Sequence, residues 1–198
     1  MRRAILFIIV NIVTASVYAV NIYPEVKHYV DQLVTEASNL LNDKTLTESQ
    51  RVTKSSNLIS ANLDLEWMAQ YTLGRHKKEL SESQINTFTQ TYSQYVVKTY
   101  SDLVKDYKGE LAKVKKVYSL NNDNEFIANT EIIKNYGQPA VKVDYLVRKV
   151  TKNAKDSFKI SDVITEGVSM INSQQAEFNS IILNSGFDNL IINLKKKL

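Results

Sequence analysis

Val141-Lys142-Val143-Asp144-Tyr145-Leu146-Val147-Arg148 sets apolar residues at 141, 143, 145 and 147 against Lys142, Asp144 and Arg148. A period of two puts the apolar set on one face of an extended chain, so this stretch reads as a half-buried strand. Phe126 to Ile133 and Phe158 to Ile164 carry the same kind of pattern, and Val114 to Leu120 carries it more weakly. The connections at Asn121 to Asn124, at Tyr136-Gly137-Gln138-Pro139 and at Lys152 to Asp156 are short, polar and turn-like. Short links join antiparallel neighbours, which predicts a four-stranded meander.

Before residue 110 the spacing is helical. Pro24 suits a first helical position, where a missing amide proton costs nothing, and Val26, Val30, Leu33, Ala37 and Leu40 recur every three to four residues behind it. A second helix begins at Thr47, with Leu58 and Ile59 near its end. Asp64 caps a third carrying Leu65, Met68 and Tyr71, and Gly74 stands where a left-handed C-terminal residue is needed. Ser81 and Gln84 have capping-box spacing ahead of a stripe of Ile85, Phe88, Tyr92, Tyr95, Val96, Thr99, Leu103 and Tyr107, long enough for a helix of about seven turns that Gly109 ends. After the strands, helical spacing returns in Val168, Ile171, Phe178, Ile181 and Ile182, stops at Gly186, and resumes in Phe187, Leu190, Ile191 and Leu194. Helices, a sheet, then helices make an α+β domain.

The chain's 198 residues are 43% hydrophobic and 23% charged, ordinary values for one globular domain. Arg2 and Arg3 precede an apolar stretch from Ala4 to Val13, and the segment closes on Ala15, Ser16 and Ala19, the pattern of an export signal. Residues 1–19 are therefore expected to be removed, with the mature domain spanning 20–198. The alternative, an uncleaved anchor, is short for a span and interrupted by Asn11 and Thr14. Losing Arg2 and Arg3 takes the formal charge from +4 to +2, too balanced for a nucleic-acid partner. With no cysteine the core must suffice by itself.

Catalytic readings find little to build on. His28 and His76 lack partners at ligand spacing, and His76 sits between Arg75 and Lys77, which repel a cation, so no metal site is expected. Gly167-Val168-Ser169 has part of a nucleophile elbow, but Ile171 stands where its second glycine belongs. Ser169 reads better as a helix N-cap. No glycine cluster could cradle a phosphate, and no cofactor is expected. Asp64, Glu66, Asp144, Asp162 and Glu166 could still converge as a carboxylate pair, leaving an exported hydrolase or isomerase as the alternative function, beside a structural adaptor held at the inner membrane. Lysines and Arg148 at 113–116, at 148–155 and at 195–197 read either as solvated surface or as a patch for anionic headgroups or an acidic partner.

Three segments resemble the MlaC phospholipid-binding family, the toluene-tolerance periplasmic component of an ABC transport system. They are Asp64-Leu65-Glu66-Trp67-Met68-Ala69-Gln70-Tyr71-Thr72-Leu73-Gly74-Arg75, the framework of Gln84, Phe88, Tyr100, Leu103 and Tyr107, and Ile160-Ser161-Asp162-Val163-Ile164-Thr165-Glu166-Gly167-Val168-Ser169. Phe178, Gly186, Leu190, Ile191 and Leu194 continue the last in register. The chain departs from the family at His76-Lys77, where an aromatic pair is common, and at Gln174-Gln175, where a Tyr-Arg pair is common.

The resemblance implies a periplasmic, non-enzymatic carrier that shuttles a diacyl glycerophospholipid between an outer-membrane lipoprotein complex and an inner-membrane ABC transporter complex, maintaining outer-membrane lipid asymmetry. The fold implied is a curved four-stranded sheet and helices enclosing an apolar lipid cavity. Two tails expose on the order of thirty methylenes, and at about 0.8 kcal/mol each their passage through water costs roughly 24 kcal/mol. The tails must therefore be shielded almost completely. Expected tail-contacting residues are Met68, Phe88, Tyr92, Tyr95 and Val96 from the helices, Val141, Val143, Tyr145 and Ile164 from the strands, and Val168. Read without the resemblance, the same aromatic stripe is ordinary core packing.

Overall fold

The structure is a computed structural model that describes residues 23–107, 109–120, 124–134, 137–152 and 154–198. The expected signal segment, the cleavage point after Ala19 and most of the turns at Asn121 to Asn124 and Tyr136 lie outside the described residues. Helix α1 spans Pro24–Asn42, α2 Glu48–Asn62 and α3 Leu65–Leu73. A 3₁₀ segment, Gly74–Glu79, leads into α4, Glu82–Asp102, which tightens into a second one at Leu103–Asp106. Strands β1 (Leu111–Ser119), β2 (Glu125–Ile133), β3 (Val141–Lys152), β4 (Lys155–Thr165) and β5 (Val168–Ser169) precede α5 (Met170–Ser185) and α6 (Phe187–Lys195).

The caps explain where the helices start. Ser81 and Gln84 form the expected capping box, Thr47 and Gln50 form a second, and the Asp64 carboxylate accepts the Trp67 amide at the head of α3. Helix α4 is shorter than its stripe. It stops at Asp102, whose carboxylate binds both Lys98 and Lys105, and Leu103 to Asp106 then wind more tightly, turning Leu103 and Tyr107 away from the α4 stripe.

The sheet is an antiparallel meander in the order β1-β2-β3-β4-β5. It has five strands where four were expected, because Glu166 and Gly167, both at positive φ, make a two-residue hairpin that pairs Val168 and Ser169 back onto β4. Val168 thus belongs to a short edge strand and is 63% exposed rather than opening the next helix. The Glu166 carboxylate accepts the Lys142 amide and holds the turn against β3. Its hairpin partner at the other end of β4 is equally tight, with Lys152 opposite Lys155 and Ala154 at φ 57°, so β3 and β4 run through most of the connection expected at Lys152 to Asp156.

Two β-bulges displace the side-chain phase. The register of β1 shifts between Val114 and Lys116, so Val114 and Val117 are the residues buried in the core, which is why alternation in this segment looked weak. In β4 the pairing jumps from Ile160 opposite Val147 to Asp162 opposite Leu146, leaving Ser161 as the extra residue. Beyond that bulge Val163 and Thr165, not Ile164, share a face with Val143 and Tyr145.

Two cores result. Met68, Phe88, Tyr92, Val96, Phe178 and Leu190 join α3, α4, α5 and α6 into a helical cluster. Val26 and Val30 of α1 pack with Phe126, Val147 and Ile160 on the sheet. The two are linked by Arg148, which reaches from β3 to the Asp64 carboxylate at 2.9 Å and lies 4.5 Å over the Trp67 ring.

Candidate functional site

A cavity of about 580 Å³ lies between α1, α2, the 3₁₀ segment after α4 and the sheet. Its existence follows from the way α1 crosses the sheet. The first half of α1 presses Val26 and Val30 into the sheet core with 0% exposure for each. The same stripe continues through Leu33, Val34, Ala37, Leu40 and Leu41, which line the cavity and remain half-buried because no side chain fills the space before them. Small residues keep that space open, with Ala37 and Ser38 on α1, Ser55 on α2 and Ala112 on β1 all on the wall. The opposite wall is the lower part of the sheet, formed by the paired residues Ile132 and Val141, then Val143 and Thr165, then Tyr145 and Val163. Leu58 and Ile59 of α2, with Leu63 just after its end, complete it.

Polar groups gather at one end. Asp106, Tyr107, Glu110 and Lys134 line the cavity beside Leu103 and Val104. Tyr107 ties this rim to α1, since its Oη donates to the Glu110 carbonyl at 2.9 Å and accepts from Asn42 Nδ2 at 2.9 Å. The turn between α1 and α2 is held by Arg51, whose guanidinium donates to the carbonyls of Asp43 and Leu46. An apolar interior with a polar rim holds a large apolar ligand that carries a polar end.

The residues singled out from sequence fall into separate places. Val141, Val143 and Tyr145 line the cavity. Met68, Phe88, Tyr92 and Val96 lie in the helical cluster, each at most 1% exposed, and Tyr95 packs against it. Tyr92 is fixed there by a 2.7 Å hydrogen bond from its Oη to the buried Gln174, and burial pushes its phenol pKa well up. Ile164 lies on the other face of β4, moved there by the bulge, and Val168 is on the exposed edge. Sequence reasoning read the α1 stripe but did not connect it with the site. The signal available was its two small residues, Ala37 and Ser38, on an otherwise bulky face.

Of the five acidic residues weighed for catalysis, Asp144 and Asp162 are diagonal neighbours on one face of β3 and β4, and most have partners of their own. Asp64 caps α3 and binds Arg148, Asp144 accepts from Asn129, and Glu166 holds its turn, while Glu66 is exposed. Asp162, 3% exposed, accepts from Ser169 Oγ at 2.5 Å and from the Ile171 amide at 3.1 Å. Among the described residues no group of three His, Cys, Asp or Glu could hold a metal, and no helix is long and apolar enough to cross a membrane. The departures at His76 and at Gln174-Gln175 meet at one interface. His76 Nε2 lies 2.9 Å from Asn179 Oδ1, and Gln175 Nε2 donates to the Tyr71 carbonyl at 2.7 Å, so α5 docks on the end of α3 through polar contacts. Arg148 and Lys149 of the basic run are also engaged, with Asp64 and Asp156.

The family profile described as MlaC protein matches residues 30–196. Over 134 residues, 68% of this chain, the sequence is 22% identical to the intermembrane phospholipid transport system binding protein MlaC of Haemophilus influenzae, and the match spans 62% of that protein's length. A phospholipid-binding protein from Ralstonia solanacearum, solved in complex with a phospholipid, aligns with a TM-score of 0.64 over 87% of this chain and 93% of its own, at 17% identity. That likeness is one of fold, the same mixed arrangement of helices and antiparallel sheet.

Proposed function

The chain belongs to the MlaC protein family, and on that premise we propose that it is a phospholipid carrier whose acyl tails occupy the cavity between α1, α2 and the sheet. The observation that carries this reading is the cavity itself, about 580 Å³ of mostly apolar space ending at a rim of Asp106, Glu110 and Lys134. Its size is that of a ligand site, and its mostly apolar lining offers tails a surface on which to leave water. The headgroup stays at the rim near solvent. The relatives support the same substrate class, one being named for intermembrane phospholipid transport and the other solved with a phospholipid.

The carrier works by exchange rather than by chemistry, so it has no catalytic residues and needs no metal or cofactor. Its working place is the periplasm, reached through cleavage after Ala19, and the single domain 20–198 passes lipid between an outer-membrane lipoprotein complex and an inner-membrane ABC transporter complex. This maintains outer-membrane lipid asymmetry. Mass spectrometry of lipid extracted from natively purified protein tests the reading. Stoichiometric diacyl phospholipid is the expected result, and protein purified without lipid that takes up none from vesicles contradicts it.

A further inference from the structure

The cavity opens at one end and closes at the other. At the rim Leu103 is 58% exposed. The last open layer at the far end is Leu33, Leu63, Tyr145 and Val163, which line the cavity on one side, pack on the sheet core with the other, and so are half-buried. Tyr145 and Val163 are paired across β3 and β4. Behind them Val26, Phe126 and Val147 are at most 2% exposed and do not reach the cavity, so the space stops at a filled core. Two elements measure the depth. Helix α1 runs from Leu33 in that layer to Leu41 beside the rim, where the adjacent Asn42 donates to Tyr107, and its rise between them is about 12 Å. On β3 the cavity wall extends from Val141 to Tyr145, about 14 Å, and the next residue on that face is the buried Val147.

We infer that Leu33, Leu63, Tyr145 and Val163 form a floor that sets the longest acyl tail the carrier accepts, making it selective for tails of up to about sixteen carbons over longer ones. This rests on the carrier reading and names the class of lipid within it. The depth is close to the roughly 15 Å that one leaflet gives ordinary tails, half of a bilayer hydrocarbon core of about 30 Å. A tail of that length ends against the floor. Further methylenes would have to displace Phe126 or Val147 from a close-packed layer, so they are driven out at the rim instead. Each methylene left in water there lowers affinity about fourfold. Tails that are too short leave the floor without contacts, which penalises them less steeply. Residues nearer the rim, such as Ala37 and Ala112, set the width of the cavity and not its depth.

The test is competition. Delipidated protein is equilibrated with vesicles holding equal amounts of monounsaturated phosphatidylcholines whose paired tails have fourteen, sixteen, eighteen, twenty or twenty-two carbons, and the bound species are read by native mass spectrometry. Occupancy should fall at least about tenfold between sixteen and twenty-two carbons. Leu33→Ala deepens the floor and raises the ratio of twenty-carbon to sixteen-carbon lipid at least about fourfold, whereas Val163→Phe makes it shallower and lowers that ratio. Val26→Ala, a truncation on the same helix in the layer behind the floor, keeps the parent's profile. Circular dichroism establishes that each variant is folded, and the parent's profile alone decides the matter where one is not. A parent profile flat to twenty-two carbons overturns the inference and leaves the carrier reading standing. So does a failure of Leu33→Ala and Val163→Phe to move the ratio in opposite directions, or a shift in Val26→Ala as large as that in Leu33→Ala. A parent that binds none of the five lipids overturns both.

Discussion

Ser169→Ala tests how α5 is fastened to the sheet. The Ser169 hydroxyl has two roles, accepting from the Asn172 amide at 3.2 Å and donating to Asp162 Oδ2 at 2.5 Å. Losing a serine N-cap costs about 1 kcal/mol, and losing a hydrogen bond to a buried charged group costs about 1.5–3 kcal/mol. The substitution removes both, for roughly 2.5–4 kcal/mol in total, or about 5–15 °C in Tm for a domain of this size. Urea unfolding of the delipidated protein, followed by circular dichroism, measures it. In a double-mutant cycle with Asp162→Ala the two sites should couple by at least about 1 kcal/mol, because the second change removes a partner already lost. A cost near 1 kcal/mol with additive single variants would mean that Ser169 is only a cap.

Val143→Trp, on the cavity wall, should lower lipid occupancy while the delipidated protein keeps most of its Tm, whereas Val147→Trp, 0% exposed beside Phe126, overpacks a filled core and costs at least about 1–3 kcal/mol. Comparing bound lipid with Tm in the two variants checks this. Tyr92→Phe leaves the Gln174 amide oxygen without its donor and should cost about 1–3 kcal/mol without changing lipid occupancy, as Tyr92 lies outside the cavity. The Asp102 carboxyl is held down to about 2 by hydrogen bonds from Lys105 and Lys98. Its lowered folded-state value means that its contribution is present above the ordinary carboxylate range and is lost as pH falls through about 2. Carboxyl NMR should find that midpoint in the parent and a higher one in Lys105→Ala.

The features legible in the sequence were those fixed by neighbours along the chain. Pro24, Asp64, the Ser81–Gln84 pair and Gly186 mark helix boundaries because caps and permitted φ values act within a few residues. The alternation of β3 was equally plain, and three of its residues reached the cavity. What escaped depends on pairing between strands or on packing between elements. A bulge leaves little trace in composition, yet the one at Ser161 moves Ile164 off the cavity face and brings Val163 onto it. Filled and unfilled space likewise look alike in a periodic pattern. Phe88, Tyr92 and Val96 recur at helical spacing just as Leu33, Ala37 and Leu40 do, but the first set is buried against α5 and α6 while the second lines the cavity. The specific Asp162-to-Ser169 segment was recognised as a motif, and the structure gives its reason as a positive-φ hairpin followed by a helix start capped on a buried carboxylate.

The central claim is the position of the tails, and a phospholipid bearing a photoreactive diazirine near the end of one acyl chain tests it directly. After irradiation of the loaded protein, peptide mapping should place the cross-links on the cavity segments, around Leu33 to Leu41, Leu58 to Leu63 and Val141 to Tyr145. Cross-links concentrated instead on Phe88, Tyr92 and Phe178 would put the ligand in the helical cluster and contradict the account.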